Sequence, residues 1–325
     1  MRNRLLYRLC SGKNPKFIYY SVNVFRLALP KFIFRRRLRR RLKSRYYQIN
    51  KDYIDIRVNY YNKLSQEVQL PTTAVKLKNH KMGSKHKVYF FDTYQFTRWF
   101  SDEFQWEFCP GDVTYVPSYP SIVKSRPLVE HNENSVVMKL NKIRHFIFVK
   151  DKKSFADKKN QAIFRGKVQG KESRKIFMEK YLRHPMCDLG DVSRDVAIPC
   201  EWQKEKKTIR EHLDYKFVMA LEGNDVASNL KWVMSSNSIA VMPRPTCETW
   251  FMEGMLIPNY HYIEIKPDFS DLEERLNYYL VHVDEAQRII NNAHEYVAQF
   301  KSRKRENLIS LLVLDKYFRM TGQVK

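Results

Sequence analysis

The sequence has 325 residues and a mass of 39.2 kDa, and its 43% hydrophobic residues can fill a sizeable core. No stretch approaches the roughly 18 to 20 apolar residues of a membrane-spanning helix, and the first residues lack a signal-peptide pattern. The five cysteines show neither zinc-site spacing nor a disulfide framework. We therefore expect a globular protein of the reducing cytosol, with no metal site and no transmembrane helix.

The net charge of +24 is concentrated at the start of the chain. Residues 1–50 carry 15 Lys or Arg and no Asp or Glu, which leaves about +9 for the other 275 residues. Aromatic and aliphatic residues are interleaved with these cations, as is typical of a membrane-interface segment. Contacts with nucleic acid, or a merely solvated basic arm, would use the same composition. The candidate membrane-interface residues are Arg35, Arg36, Arg37, Arg39 and Arg40.

The pattern of predicted strands and helices changes near residue 156. Before it, the short runs 87–91, 113–116, 136–140 and 146–149 resemble strands separated by long polar stretches. After it, strands predicted at 162–165, 186–189, 216–221, 239–242 and 260–265 alternate with helices at 173–183, 208–213, 227–235, 248–256, 271–279 and 285–300. A closing helix is predicted at 306–320. The alternation predicts an α/β fold with a parallel sheet, which binds ligands beyond the carboxyl ends of its strands.

The first candidate site follows the predicted strand 162–165. Arg165 ends this strand, Gly166 is flexible, and Arg174 lies near the start of the next helix. Cations beside a helix N-terminus suit a diphosphate. The alternative for Arg165 is an ordinary surface ion pair.

A second candidate is the turn after the predicted strand 216–221. Gly223 would permit a tight turn, Glu222 could bind sugar hydroxyls, and the following backbone N–H groups up to Asn229 could face a phosphate. Ordinary turn chemistry explains the same residues without a ligand.

Asp92 is a third candidate because it follows the apolar run KVYFF, which we interpret as a strand. A carboxylate at a strand end could act as a general base. The alternative is a helix N-cap.

Taken together, these segments resemble glycosyltransferase family 90, which includes bacterial lipopolysaccharide-modifying transferases and animal protein O-glucosyltransferases. The motifs that carry the resemblance are KKNQAIFRG (158–166), ESRK (172–175), YKFVMALEGNDVASNLKWVMSSNS (215–238), TWFMEGMLIPNYHYIEIKPDFSDL (249–272) and DEAQRIINNAHEYV (284–297). The resemblance implies a GT-B-like fold of two facing Rossmann-like domains. We accordingly expect a basic amphipathic segment at 1–50, an acceptor-side domain at 51–155, and a donor domain with its closing helix at 156–325.

The resemblance also implies roles for single residues. Arg174 looks like the family arginine that contacts the donor diphosphate, and Asp92 matches the proposed base. Animal relatives have an arginine where this sequence has Asn229, so Lys231 is expected to assist Arg174 in neutralising the diphosphate. The absence of an Asp-x-Asp triplet agrees with transfer that requires no metal.

The expected function is transfer of glucose, another hexose or xylose from a nucleotide-sugar, UDP-linked by preference, with inversion at the anomeric carbon. The expected acceptor is lipopolysaccharide or another surface glycan at the inner face of the cytoplasmic membrane, and no cofactor is required. The alternative is a basic nucleic-acid-binding protein, which the basic segment alone supports.

Overall fold

A computed structural model describes residues 11–83, 86–193 and 195–324. The helices are α1 (Lys16–Ala28), α2 (Lys31–Leu42), α3 (Arg45–Ile49), α4 (Lys51–Tyr61), α5 (Lys87–Thr97), α6 (Lys142–His145), α7 (Glu172–Tyr181), α8 (Ile209–His212), α9 (Leu230–Val233), α10 (Leu272–Val281), α11 (Val283–Ala298) and α12 (Arg303–Met320). The strands are β1 (Val75–Lys76), β2 (Gln105–Cys109), β3 (Ser121–Val123), β4 (Ser125–Pro127), β5 (Ser135–Val137), β6 (Lys159–Gly166), β7 (Cys187–Asp191), β8 (Tyr215–Met219), β9 (Ile239–Met242), β10 (Cys247–Thr249) and β11 (Ile263–Glu264).

The chain divides into two compact units, and neither is continuous in sequence. The parallel-sheet unit contains residues 11–14, 144–245 and 255–299. The helix-rich unit contains residues 15–143, 246–254 and 300–324.

The parallel-sheet unit is built on five parallel strands in the order β11-β9-β8-β6-β7. Every residue of β8 and β9 is buried, as expected for central strands of a parallel sheet. Apolar side chains of α7, α10 and α11, among them Phe177, Leu276 and Ile290, belong to the same hydrophobic core as the strands. The predicted α/β fold with a parallel sheet is therefore confirmed for this unit.

The helix-rich unit contains a second, smaller sheet in the order β1-β2-β3-β5. Strands β2, β3 and β5 are parallel, and β1 is antiparallel to β2. Strands β4 and β10 form a separate antiparallel pair. The fully buried Arg126 of β4 donates to Glu248 of β10 over 2.7 Å, which neutralises both charges inside the unit.

The predicted strand at 87–91 is wrong, because these residues form the first half of α5. Seven of the eleven residues of α5 are buried, from Tyr89 to Thr93 and at Phe96 and Thr97, so this helix is buried on most sides. An apolar run of only five residues fits a strand or a helix equally well. Asp92 consequently lies inside a helix, and not at a strand end.

The predicted helix at 248–256 is also wrong. This segment contains β10, followed by a 3₁₀ helix at Glu253–Met255. The Glu253 carboxylate accepts from the backbone N–H of Thr249 over 2.6 Å and from its hydroxyl over 2.9 Å, so it closes a turn directly after the strand. Likewise, no strand forms at 113–116 or 146–149.

The predicted borders at residues 50 and 155 do not coincide with the two units. Residues 15–50 of the basic segment fold into α1, α2 and α3 within the helix-rich unit, where α1 contacts α5 and α2 contacts α12, whereas residues 11–14 belong to the parallel-sheet unit. The closing helix α12 also belongs to this unit because its apolar residues pack against α4 and α5. Local sequence pattern does not reveal this, since the partners of α12 lie more than 200 residues earlier.

Candidate active site

A cavity of about 400 Å³ lies in the parallel-sheet unit, at the carboxyl ends of β6 and β8. This is where parallel α/β sheets bind ligands. Among the described residues no Asp or Glu lines it, whereas seven cationic residues do. These are Lys13, Arg144, Arg165, Lys167, Arg174, Lys206 and Lys207. The cavity therefore favours a ligand that carries several negative charges.

Backbone carbonyl oxygens hold Arg174 in place in this cavity. Its guanidinium donates to the carbonyl oxygens of Lys167 at 2.8 Å, Leu221 at 2.8 Å and Glu222 at 2.9 Å. These bonds join the loop after β6 to the loop after β8 and leave other N–H donors of the guanidinium uncommitted. Burial, and then the positive charge of Arg144, lower the pKa of Arg174 to about 10, so the side chain remains cationic at neutral pH.

Two glycines make room for Arg174. A Cβ atom at Gly166 would lie 2.6 Å from Cζ of Phe164 and 3.3 Å from Nη1 of Arg174. A Cβ atom at Gly223 would lie 3.3 Å from Nη2 of Arg174. Both predicted glycines thus adjoin the predicted arginine. Glu222 contributes its backbone carbonyl to Arg174 and is not among the residues that line the cavity.

Arg165 lines the cavity but is paired. Its Nη2 donates to Asp188 over 2.6 Å and its Nη1 to the Asp188 carbonyl over 2.7 Å. Burial opposes ionisation of Asp188, yet hydrogen bonds from Tyr215 and Arg165 outweigh it and lower the pKa of Asp188 to about 2. The ion-pair alternative for Arg165 is therefore present in the structure, although the pair lies at the site.

Asn229 and Lys231 differ in whether they reach the cavity. Asn229 lines the cavity, and its side-chain amide donates to the Met219 carbonyl at the end of β8 over 2.9 Å. Lys231 is fully buried in α9 and does not line the cavity. The expectation that Lys231 assists Arg174 is thus not supported by its position. Arg144, Lys206 and Lys207 line the cavity in its place.

Asp92 lies in the helix-rich unit and is fully buried. Its carboxylate accepts from the Tyr19 hydroxyl at 2.8 Å and the Lys142 backbone N–H at 3.0 Å, and it pairs with the Lys142 ammonium at 3.2 Å. These contacts connect α1, α5 and α6. They give the carboxylate a structural role, and an acceptor hydroxyl has no access to it in this conformation.

The five candidate membrane-interface arginines lie on α2 and differ in their surroundings. Arg35 pairs with Asp102 over 2.6 Å, and the exposed Arg36 lies over the Phe32 ring at 5.4 Å. Arg37, Arg39 and Arg40 are exposed as well, and Arg37 and Arg40 line a second cavity. Where the structure describes the chain, none of its helices is both long and apolar enough to span a bilayer.

Sequence reasoning missed the residues that shape the rim of the cavity at the carboxyl ends of β6 and β8, which we call the donor-side cavity. Asp191, at the end of β7, accepts from the backbone N–H groups of Val168 at 2.8 Å and Ser193 at 2.7 Å, and so fixes the loop after β6. His212 lines the cavity; burial lowers the pKa of His212 to about 4, so it is neutral at neutral pH. The one sequence signal for Lys206 and Lys207 as site residues is the high content of lysine in segment 204–207.

A carboxylate-free, cationic cavity at the edge of a parallel sheet is the kind of site that a nucleotide-sugar-dependent glycosyltransferase needs for its leaving diphosphate. The sequence model of Glycosyl transferase family 90 matches residues 133–319. The chain is also 41% identical over 266 residues to O-glucosyltransferase LpsA of Dichelobacter nodosus, and the aligned region covers 82% of each of the two chains. The protein belongs to glycosyltransferase family 90 and is a glycosyltransferase.

Proposed function

We propose that the protein transfers glucose from a UDP-linked donor to a hydroxyl of lipopolysaccharide or a related surface glycan. Glucose is preferred to another hexose or xylose because the relative's name specifies an O-glucosyltransferase. The lipopolysaccharide acceptor rests on the resemblance to the bacterial branch of the family. The single observation that carries a nucleotide diphosphate donor is the cationic cavity around Arg174.

In the proposed reaction the acceptor oxygen attacks the anomeric carbon while the bond from that carbon to the diphosphate oxygen breaks, with inversion. Negative charge then develops on the leaving UDP, and Arg174, assisted by Arg144 and Lys206, stabilises it. These cations supply the neutralisation for which other transferases use a metal, so the proposed reaction is metal-independent and needs no cofactor. Within the described chain no group of three or more His, Cys, Asp or Glu is placed to hold a metal.

The acceptor proton must pass to a base, which the family resemblance assigns to Asp92. This assignment stays a prediction, and the burial of the carboxylate counts against it. The GT-B-like arrangement of two facing domains is likewise an expectation from the resemblance.

We further propose that the protein binds peripherally to the anionic inner face of the cytoplasmic membrane through α1 and α2. Helix α1 exposes large apolar side chains, with Phe17 83% and Phe25 65% accessible. Exposed apolar groups next to arginines suit the headgroup boundary, where each cation near anionic lipid contributes about 1 kcal/mol. Nucleic acid remains the alternative partner for the same cations, but it offers the exposed aliphatic residues Ile18 and Val24 no apolar phase.

The donor assignment is tested by thermal denaturation with UDP, UDP-glucose, UDP-xylose, GDP-sugars and CMP-sugars, each with and without EDTA. A ligand that binds only the folded protein raises its melting temperature by mass action. We expect a shift with UDP-glucose that EDTA does not change. Absence of any shift with the nucleotides, together with tight binding of a random oligonucleotide, would favour the nucleic-acid-binding alternative.

The membrane assignment is tested by sedimentation with vesicles of phosphatidylglycerol and phosphatidylcholine. Replacing Phe17 and Phe25 by Ser should release the protein, whereas replacing the exposed Val281 by Ser, in the parallel-sheet unit, should not. Equal sedimentation of both variants would contradict the role of α1.

A further inference from the structure

A second cationic cavity, of about 540 Å³, lies in the helix-rich unit among α1, α2, α5 and α12. Six arginines line it, and no Asp or Glu of the described chain does. These are Arg26, Arg37, Arg40, Arg41, Arg98 and Arg303. None of the six forms a salt bridge with a carboxylate within residues 11–83, 86–193 and 195–324. The cavity thus brings six positive charges together without a carboxylate in direct contact with them among these residues.

Arg98 is held firmly in this cavity, which we call the arginine cavity. Only 3% of the residue is exposed, and its Nη1 and Nη2 donate to the carbonyl oxygens of Arg26 at 2.7 Å and Leu29 at 2.9 Å. The guanidinium also lies over the Phe34 ring at 3.7 Å. Its Nε is buried and has no hydrogen-bond partner in the described structure. Two backbone carbonyls and the Phe34 ring therefore hold the Arg98 guanidinium at the wall of the cavity.

Neutral amides orient the neighbouring Arg26. Its Nη1 donates to Asn23 at 2.8 Å and to Gln95 at 3.2 Å, and Gln95 donates in turn to Asn307 at 3.2 Å. Burial, followed by the charge of Arg303, lowers the pKa of Arg26. The like charges are therefore close enough to repel each other, and an anion between them would relieve that repulsion.

The arginines of α2 separate into two groups. All four of Arg36, Arg37, Arg39 and Arg40 are exposed, but of these four only Arg37 and Arg40 line the cavity. Arginine is the side chain best suited to phosphate, because its planar fork donates two parallel hydrogen bonds to the phosphate oxygens.

We propose that this arginine cavity is a binding site for a phosphate group, distinct from the donor-side cavity and independent of the proposed glucosyl transfer. The phosphate would accept from Arg98 and from the forks of Arg37 and Arg40, while Phe34 and Trp99 contact the group that bears it. Two sources supply this chemistry: a phosphomonoester on a sugar and the phosphodiester of a lipid headgroup.

The test is isothermal titration of the full-length protein with inorganic phosphate, glucose 6-phosphate and glycerophosphoglycerol at constant ionic strength. The last two probes represent the phosphorylated sugar and the lipid headgroup. The variant Arg37→Gln/Arg40→Gln removes two cavity arginines. Its matched control, Arg36→Gln/Arg39→Gln, removes the same charge from the same helix outside the cavity. UDP is titrated in parallel, so that failure of the donor-side cavity is recognised separately.

We expect one of the phosphate probes to bind the protein, and the cavity variant to weaken it roughly tenfold per arginine, or about a hundredfold. The control should stay within about threefold, as expected from screened surface charges. Tighter binding of glucose 6-phosphate would assign the site to a phosphorylated glycan, and tighter binding of glycerophosphoglycerol to a lipid headgroup. Equal weakening by both variants, or no binding of any probe at millimolar concentration, would overturn the proposal.

Discussion

The donor-side cavity and the arginine cavity are both cationic and free of carboxylates, but they hold their charges differently. In the first, backbone carbonyls at the edge of a parallel sheet fix Arg174. In the second, arginines converge from α1, α2, α12 and the residue after α5, and hydrogen bonds hold Arg98 and Arg26. Groups fixed at a sheet edge can hold an anion in one position. Long side chains that converge from several helices concentrate positive charge but position the anion less exactly. Catalysis requires the former, since a developing charge is stabilised only by groups already in place.

The largest effect is expected from Arg174→Ala, which removes the fixed cation of the donor-side cavity. We expect kcat/KM for glucosyl transfer to fall roughly 10²- to 10³-fold, as when one preorganised donor is lost. The control is Lys175→Ala, which removes the neighbouring exposed charge from the same helix. If both variants were equally active, Arg174 would not be the diphosphate contact.

Asp92→Asn tests whether the buried carboxylate of the helix-rich unit is a base or a structural group. Because the change leaves Lys142 without its buried partner, we expect the free energy of unfolding to fall by about 3 kcal/mol. If the carboxylate has only the structural role that its burial favours, transfer per folded molecule should be retained. Asp102→Asn, which breaks partly exposed ion pairs, should cost less than about 1 kcal/mol. Loss of transfer at unchanged stability would instead support the base.

Gly166→Ala tests the close packing beneath Arg174. The added Cβ would lie 2.6 Å from the Phe164 ring, so we expect a loss of about 1–3 kcal/mol in folding stability and weaker UDP binding. The same change in a Phe164→Leu background should cost less, because the clashing ring atom is gone. Urea denaturation of the four proteins measures the difference. An equal cost in both backgrounds would mean that the ring does not restrict this position.

The last prediction concerns pH, and its effect per pH unit is the smallest of the four. Burial lowers the pKa of His212 to about 4 from 6.5, so between these values the unfolded chain binds more protons than the folded protein. Stability should therefore fall as the pH is lowered through this window, by on the order of 1 kcal/mol per pH unit. His212→Asn keeps a donor near the Thr208 carbonyl and should flatten that dependence. The exposed His282, replaced by Asn, serves as the control.

Strand and helix periodicity predicted most of the parallel-sheet unit, because its elements alternate along the chain and each carries its own apolar pattern. The same reasoning failed at 87–91 and 248–256. At 87–91 the apolar run was too short to distinguish a strand from a helix. At 248–256 one carboxylate, Glu253, binds Thr249 and closes a turn that no periodicity encodes.

The sequence likewise predicted some residues of the candidate site and missed others. Arg165, Gly166, Arg174 and Asn229 line the cavity because each follows or flanks a strand whose carboxyl end is fixed by sheet topology. The sequence analysis placed Lys231 at the site, but its side chain is buried. The rotation of α9 about its axis and its packing decide which side chains are buried, and the local sequence does not show this. Arg144 and Lys206 could not be chosen from among many surface cations.

The sequence by itself determined the α/β class, the family, and the motif residues around Arg174, since these depend on short segments with fixed local geometry. Only the tertiary structure decided that α12 joins α4 and α5, that Asp92 is buried against Tyr19 and Lys142, and that six arginines surround one cavity. The physical reason is sequence separation: Arg26 and Arg303 are 277 residues apart, and only packing of α1 and α12 in one unit brings them to the same site.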